Sequence, residues 1–210
     1  MCSLAQGSTV MQKKLFLFVG LPGSGKTTIC RTIAHKYPMV VHQSMGDLLR
    51  LEAQQDTPQG KLVHELVTNG KLVTPDITLS ILEQFLVHNQ QPIILLDGYQ
   101  GNSDYFEPFQ QLLERHAITL VRVISVDVSP DIACMRAGWR KRIDDAPEAF
   151  KQRLQNRLKN REAVAHYYGH KGLFTAIDGE QPLANVIAAT EYVLELATAT
   201  AQEHATQPVI

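Results

Sequence analysis

Two patterns in this 210-residue chain combine residue types and spacings suited to binding phosphate. The first is Gly20-Leu-Pro-Gly-Ser-Gly25-Lys26-Thr27, which satisfies G-x-x-x-x-G-K-[ST] in full. Glycines let backbone N–H groups turn onto phosphate oxygens, and a helix starting at Lys26 aims its positive end at the same anions. In such a loop the segment Gly23-Ser24-Gly25 cradles the phosphates and Lys26 reaches the β- and γ-phosphates. Thr27 holds Mg2+, and Thr28 lies beside it. ATP or GTP is the expected ligand. The second pattern is cationic: six arginines, Arg136, Arg140, Arg142, Arg153, Arg157 and Arg161, fall within 26 residues. Planar guanidinium groups can bracket the charge that spreads over a phosphoryl group in transfer. Arg136 and Arg140 share a helix face, and Arg153, Arg157 and Arg161 form a second i, i+4 stripe. For Arg157 and Arg161 a solvated charged face also accounts for the spacing. Asp144 and Asp145 are carboxylates placed to orient some of these arginines. Between the two patterns, the apolar run Ile93-Ile-Leu-Leu ends in Asp97, a carboxylate placed to organise a Mg2+ shell or to cap the next turn.

These groups need a scaffold. Leu15–Gly20, Val40–His42, Pro92–Asp97, Thr119–Val126 and Leu173–Ile177 are short apolar runs that suit strands buried on both faces. Helical spacing is found over Thr27–Tyr37, Pro75–His88 and Pro147–Tyr168, and over Pro182–Glu203 at the end. Ser129-Pro130 opens another helix. Strands alternating with helices predict a three-layer α/β/α fold on a five-stranded parallel sheet. The chain reads as one domain over 1–210, with a core of 14–43 and 90–205. Gly46–Asn89 holds two or three helices and no strand, a helical insertion over about 44–89 that can act as a flap over the strand ends.

Composition narrows the partners. Twenty Lys+Arg against 21 Asp+Glu leave a formal charge of −1, which argues against a broad nucleic-acid or membrane surface. It leaves room for a small basic pocket. The longest apolar runs are far short of a membrane span, and the first residues do not have the pattern of a signal peptide. Three widely spaced cysteines without a Cys-x-x-Cys pair read as reduced thiols, and no two of the eight histidines read as a metal pair. A cytoplasmic, monomeric protein is the expectation.

Several ordered segments resemble the nucleoside monophosphate kinases, the family of adenylate and UMP/CMP kinases, over about residues 14–200. The loop resembles that family's GxPGxGK. Ser44-Met45-Gly46-Asp47-Leu-Leu-Arg50 is similar to its S-[TA]-G-D-x-[LM]-R, whose arginine grips the acceptor phosphate. Gly60-Lys61 and Gly70-Lys-Leu-Val73 resemble the acceptor-side GK…GxLVP, where backbone around the valine meets the acceptor base. Arg142-x-Asp144-Asp145-x-x-Glu148-x-x-x-x-Arg153-Leu154 follows R-x-D-D-x-x-E-x-x-x-x-R-[LFY] position by position. The resemblance implies a Mg2+-dependent kinase that transfers phosphate from ATP to a nucleoside monophosphate such as AMP, UMP or CMP. In this picture Lys26, Arg136, Arg140, Arg142 and Arg153 serve the transferring phosphates. Arg136 and the Asp178-Gly179-x-Gln181-Pro182-Leu183 stretch serve the ATP base, with Gln181 and Leu183 against it. Ser44, Met45, Asp47, Arg50, Val73, Gly98 and Gln100 line the acceptor side, and Thr27 and Asp97 serve the metal, partly through water.

The chain departs from the pattern mainly on the acceptor side. Asp97-Gly98-Tyr99-Gln100-Gly101 stands where the family has D-G-F-P-R, so the second acceptor arginine is replaced by Gly101. Tyr105 takes the place of a glutamine that reads adenine, and Met45 that of a threonine. Only Lys141 separates Arg140 from Arg142, which leaves a minimal lid over about 140–146. Two other readings stay open: a kinase for another small metabolite, with Asp47 as base, and a nucleotide-binding protein without turnover.

Overall fold

The computed structural model describes residues 12–99, 103–138 and 146–196. Gln100, Gly101, Arg140, Arg142, Asp144 and Asp145 lie outside them, as does most of the span assigned to the lid. Strands β1 (Lys13–Val19), β2 (Val40–Ser44), β3 (Ile93–Asp97), β4 (Ile118–Asp127) and β5 (Phe174–Asp178) form one parallel sheet in the order β2-β3-β1-β4-β5. All five expected runs are strands. Helix α1 (Lys26–Lys36) joins β1 to β2. Three helices, α2 (Met45–Glu52), α3 (Pro58–Thr68) and α4 (Pro75–His88), fill the stretch between β2 and β3. Beyond β3 come α5 (Phe106–Arg115), α6 (Pro130–Gly138), α7 (Pro147–His170) and α8 (Leu183–Val193).

The core follows the alternation of β1. Leu15, Leu17 and Val19 face a layer built by Leu82 and Leu86 of α4, Phe109 and Leu113 of α5, and Val164 and Tyr168 of α7. Phe16 and Phe18 face the opposite layer, with Ile29, Cys30 and Ile33 of α1 and Val186 of α8. Fully burying each large apolar side chain is worth about 1.5–3 kcal/mol, which secures the central strand on both faces. Helix starts follow local chemistry. Pro58, Pro75 and Pro147 open α3, α4 and α7, where a missing N–H costs nothing. Thr57 caps α3 by accepting from the Gly60 amide at 2.9 Å.

Two elements differ from expectation. No helix is expected between β3 and β4, yet α5 lies there, with Phe106, Phe109, Leu112 and Leu113 buried along one face. Its Pro108 falls in the first turn, where proline is tolerated. The spacing carries the last helix to Glu203, of which 197–203 lie outside the described residues, and α8 stops at Val193. Leu194 donates back to Thr190, and Glu195 takes a left-handed conformation (φ 58°) that ends the helix.

The register of the sheet positions the chemistry. Asp97 at the end of β3 pairs with Phe18 near the end of β1, so the glycine loop after β1 and the carboxylate after β3 emerge side by side. That is the carboxyl edge of a parallel sheet, where open α/β folds bind ligands.

Candidate active site

The loop between β1 and α1 takes its shape from its glycines. Gly23 and Gly25 have φ of 94° and 97°, a region that side chains other than glycine's rarely adopt. A Cβ on Gly23 would stand 2.2 Å from the Ala133 carbonyl oxygen of α6, so the loop seats directly on that helix. A Cβ on Gly25 would meet nothing within 4 Å; that glycine is needed for conformation alone. Lys26 spans the loop, its Nζ donating to Gly20 O (3.1 Å), Leu21 O (2.8 Å) and Ser24 Oγ (3.0 Å). The ammonium is thus held across the loop by two backbone carbonyls and a hydroxyl.

The loop opens into one cleft of about 670 Å3. Gly23, Ser24, Gly25, Lys26, Thr27 and Thr28 line its floor. Arg136, Gln181 and Leu183 line one side, with the Arg136 guanidinium donating to Gly179 O at 2.9 Å. Gly179 has no room for a side chain, because a Cβ would lie 2.7 Å from Val126 Cγ1, so its backbone packs close to β4. Ser44, Met45, Arg50, Val73 and Gly98 line the other side, and Asp97 and Arg153 also face the cleft. Among the described residues the lining carries seven lysines and arginines and a single carboxylate, Asp97. That imbalance suits a polyanion.

Asp97 is held on both oxygens: His42 Nε2 donates to Oδ2 at 2.6 Å, and Ser44 Oγ donates to Oδ1 at 3.0 Å. Burial pushes its carboxyl upward, but the hydrogen bond and charge of His42, then Lys26 and Ser44, outweigh it and hold the group below the usual range. Asp97 therefore stays ionised. With the Thr27 hydroxyl it forms a hard-oxygen donor set that fits Mg2+. Sequence reasoning does not single out His42. Cys30 Sγ also lies within 4.8 Å of His42 and Asp97. At 2.6 Å the His42–Asp97 contact is a direct hydrogen bond, too close to hold an ion between its atoms. Burial and then Asp97 push the Cys30 thiol well above its ordinary value, so it is an unreactive thiol. A thiol reagent applied to the native protein should label exposed Cys134 and leave Cys30 unmodified, as read by peptide mass mapping. Labelling of Cys30 before unfolding would contradict this.

Asp47 does not line the cleft. Its carboxylate pairs with Arg50 and with Arg31 (3.0 Å), which fixes Arg50 and occupies the group that could have served as a base. Val73 lines the cleft, and its carbonyl accepts from the Tyr105 hydroxyl and from Thr78 Oγ1 at 3.3 Å. Tyr105 is buried, and Tyr99 donates to its carbonyl at 3.2 Å while stacking on Phe109. Arg157 is not on a solvated face: its guanidinium lines the cleft and donates to Gly98 O at 2.8 Å. A signal for this existed in the sequence, since Arg153 and Arg157 continue the α7 stripe of buried Ala149, Val164 and Tyr168. Arg161 does match the solvated reading, half-exposed and paired with Asp127 at 2.8 Å.

Comparison with known proteins agrees with this geometry. The family model described as adenylate kinase matches residues 18–173. A protein named adenylate kinase from a Nitratiruptor species is 35% identical over 182 residues, covering 85% of this chain and 94% of that protein. One of the same name from a Sulfurovum species is 36% identical over 185 residues, covering 83% and 94%. A third, from Wolinella succinogenes, is 32% identical over 182 residues, covering 85% and 96%.

Proposed function

The chain belongs to the adenylate kinase family, and from that premise we propose that it transfers the γ-phosphate of ATP to a nucleoside monophosphate, with Mg2+ as cofactor. The observation that carries the reading is the single cleft in which the glycine loop, Asp97 and the arginines of α6 and α7 converge. The loop amides and Lys26 hold the donor phosphates. Arg136 and the Gly179–Leu183 stretch hold the adenine end, where exposed Leu183 offers an apolar face. Arg153, together with Arg140 and Arg142, which lie outside the described residues, stabilises charge on the phosphoryl group in transit. Thr27 and, through water, Asp97 would hold Mg2+, which would supply neutralisation of the donor's phosphate charge. Arg50, fixed by Asp47, takes the acceptor phosphate.

The acceptor's own phosphate oxygen is the nucleophile, so no protein base is needed. The ion pairs of Asp47 disfavour the reading as an alcohol kinase, which would need that carboxylate free. The α2–α4 insertion serves as the flap that excludes water, with the span around 140–146 as a minimal lid. A cytoplasmic monomer remains the reading, and the free thiols of Cys30 and Cys134 suit that compartment. Among the described residues no helix is long and apolar enough to cross a membrane. The relatives' name makes AMP the first acceptor to try.

Incubation with Mg·ATP and AMP, UMP, CMP, GMP or their deoxy forms should release ADP and the matching diphosphate with at least one of them. Tight ATP binding with no ADP from any acceptor would refute the transfer reading and leave a nucleotide-binding protein.

A further inference from the structure

A phosphate monoester enters as a dianion, and one arginine answers only part of its charge. On the acceptor side Arg50 is the cation named by sequence, and position 101 carries glycine. The structure brings a second guanidinium to the same spot from another element. The end of β3 meets the start of α2 closely: a Cβ on Gly98 would stand 3.9 Å from the Gly46 amide nitrogen. On one side of this junction the Arg50 guanidinium packs against Gly46, where a Cβ would be 3.2 Å from Nη1. On the other side Arg157 Nη2 donates to Gly98 O at 2.8 Å. Both arginines line the cleft.

We propose that Arg157 of α7 is a binding residue for the acceptor's phosphate, the partner of Arg50 across the Gly46–Gly98 junction, and so sets affinity for a nucleoside monophosphate. The assignment rests on the phosphoryl-transfer reading above for its ligand class. Three features favour the acceptor over the donor. The hydrogen bond of Arg157 is to Gly98, on the acceptor wall, whereas Arg136 bonds Gly179 on the donor wall. Arg157 shares the cleft wall with Tyr105, whose hydroxyl donates to the Val73 carbonyl on the acceptor side. It also sits one helical turn from Arg153, so one face of α7 presents guanidinium groups to both ends of a transfer. Burial, and after it the charge of Arg153, pulls Arg157 down to about 10, so it is still cationic at neutral pH. Two like charges held this close favour an incoming dianion.

The test is equilibrium titration of the full chain with AMP, adenosine and ATP, for wild type, Arg157→Gln and Arg157→Lys. Arg157→Gln should weaken AMP about 10- to 100-fold, while adenosine and ATP stay within about threefold. Arg157→Lys should recover part of the loss by keeping the charge without the planar fork. Unchanged AMP affinity, or equal loss of AMP and adenosine, would overturn the proposal and leave Arg157 as a support for Gly98. A parallel loss of ATP would place it on the donor side and also overturn it. If wild type binds AMP but transfers no phosphate, the reading of activity fails while the AMP-to-adenosine ratio still decides the role of Arg157. If it binds none of AMP, UMP, CMP and GMP, both fall; if it binds another of these in place of AMP, that monophosphate and its nucleoside replace AMP and adenosine in the titration.

Discussion

Lys26→Ala is expected to lower turnover by about 10³-fold or more, with the fold kept. In the proposed reaction the ammonium meets the negative charge that grows between the donor's β- and γ-phosphates, and no other described lysine or arginine belongs to the glycine loop. Because the interaction strengthens as the bond to the leaving phosphate breaks, kcat should fall along with kcat/KM for ATP. The variant also loses three hydrogen bonds to Gly20, Leu21 and Ser24. They are only partly buried and water can replace them, so the thermal midpoint should move by no more than about 5 °C. Coupled detection of ADP together with a melting curve checks both halves. A variant that turns over at wild-type rate would remove the glycine loop from the donor site.

Asp97→Asn should cost both activity and stability. Under the proposed function, losing the charge would weaken the hold on hydrated Mg2+ and should lower kcat about 10²-fold or more. It also replaces two charge-assisted bonds, from His42 and Ser44, in a nearly water-free setting, at about 2–3 kcal/mol. The pH dependence carries a sign. The folded-state value of Asp97 lies below its unfolded value of about 3.9, so an unfolded chain takes up the proton first on acidification. The stabilisation is therefore complete above that unfolded value and fades as pH falls through the lower, folded one. Urea unfolding between about pH 7 and 3 should show wild type losing this increment and Asp97→Asn lacking it throughout. Parallel curves would mean that Asp97 is not the linked group.

The sheet was legible because each strand is a short apolar run closed by glycine or a polar residue, and burial of the central strands β1, β3 and β4 on both faces leaves them little choice of structure. The donor half was legible for a related reason: Gly20–Thr27 is contiguous, so the whole phosphate nest sits in one string of letters. The acceptor half is assembled across the fold. His42 reaches Asp97 over 55 residues, Tyr105 reaches Val73 over 32, and Arg157 reaches Gly98 over 59, and no local pattern announces such pairings. Helix α5 is a different case. Its apolar residues at 106, 109, 112 and 113 have helical spacing, and Pro108 obscures it only until it is placed in the first turn.

The seat of Gly23 against Ala133 has a thermodynamic consequence. With no space for even a methyl group between them, the phosphate loop and α6, which carries Arg136, cannot slide past one another. They shift as a unit. The donor therefore meets loop amides and an arginine already registered to each other, and little of its binding enthalpy is spent on ordering protein. The acceptor meets Arg50 and Arg157 on two separate helices, α2 and α7, each held by a partner of its own, Asp47 and the Gly98 carbonyl, so their mutual register is set as it binds. Donor binding should carry the smaller entropic penalty of the two, an asymmetry set by a single backbone contact.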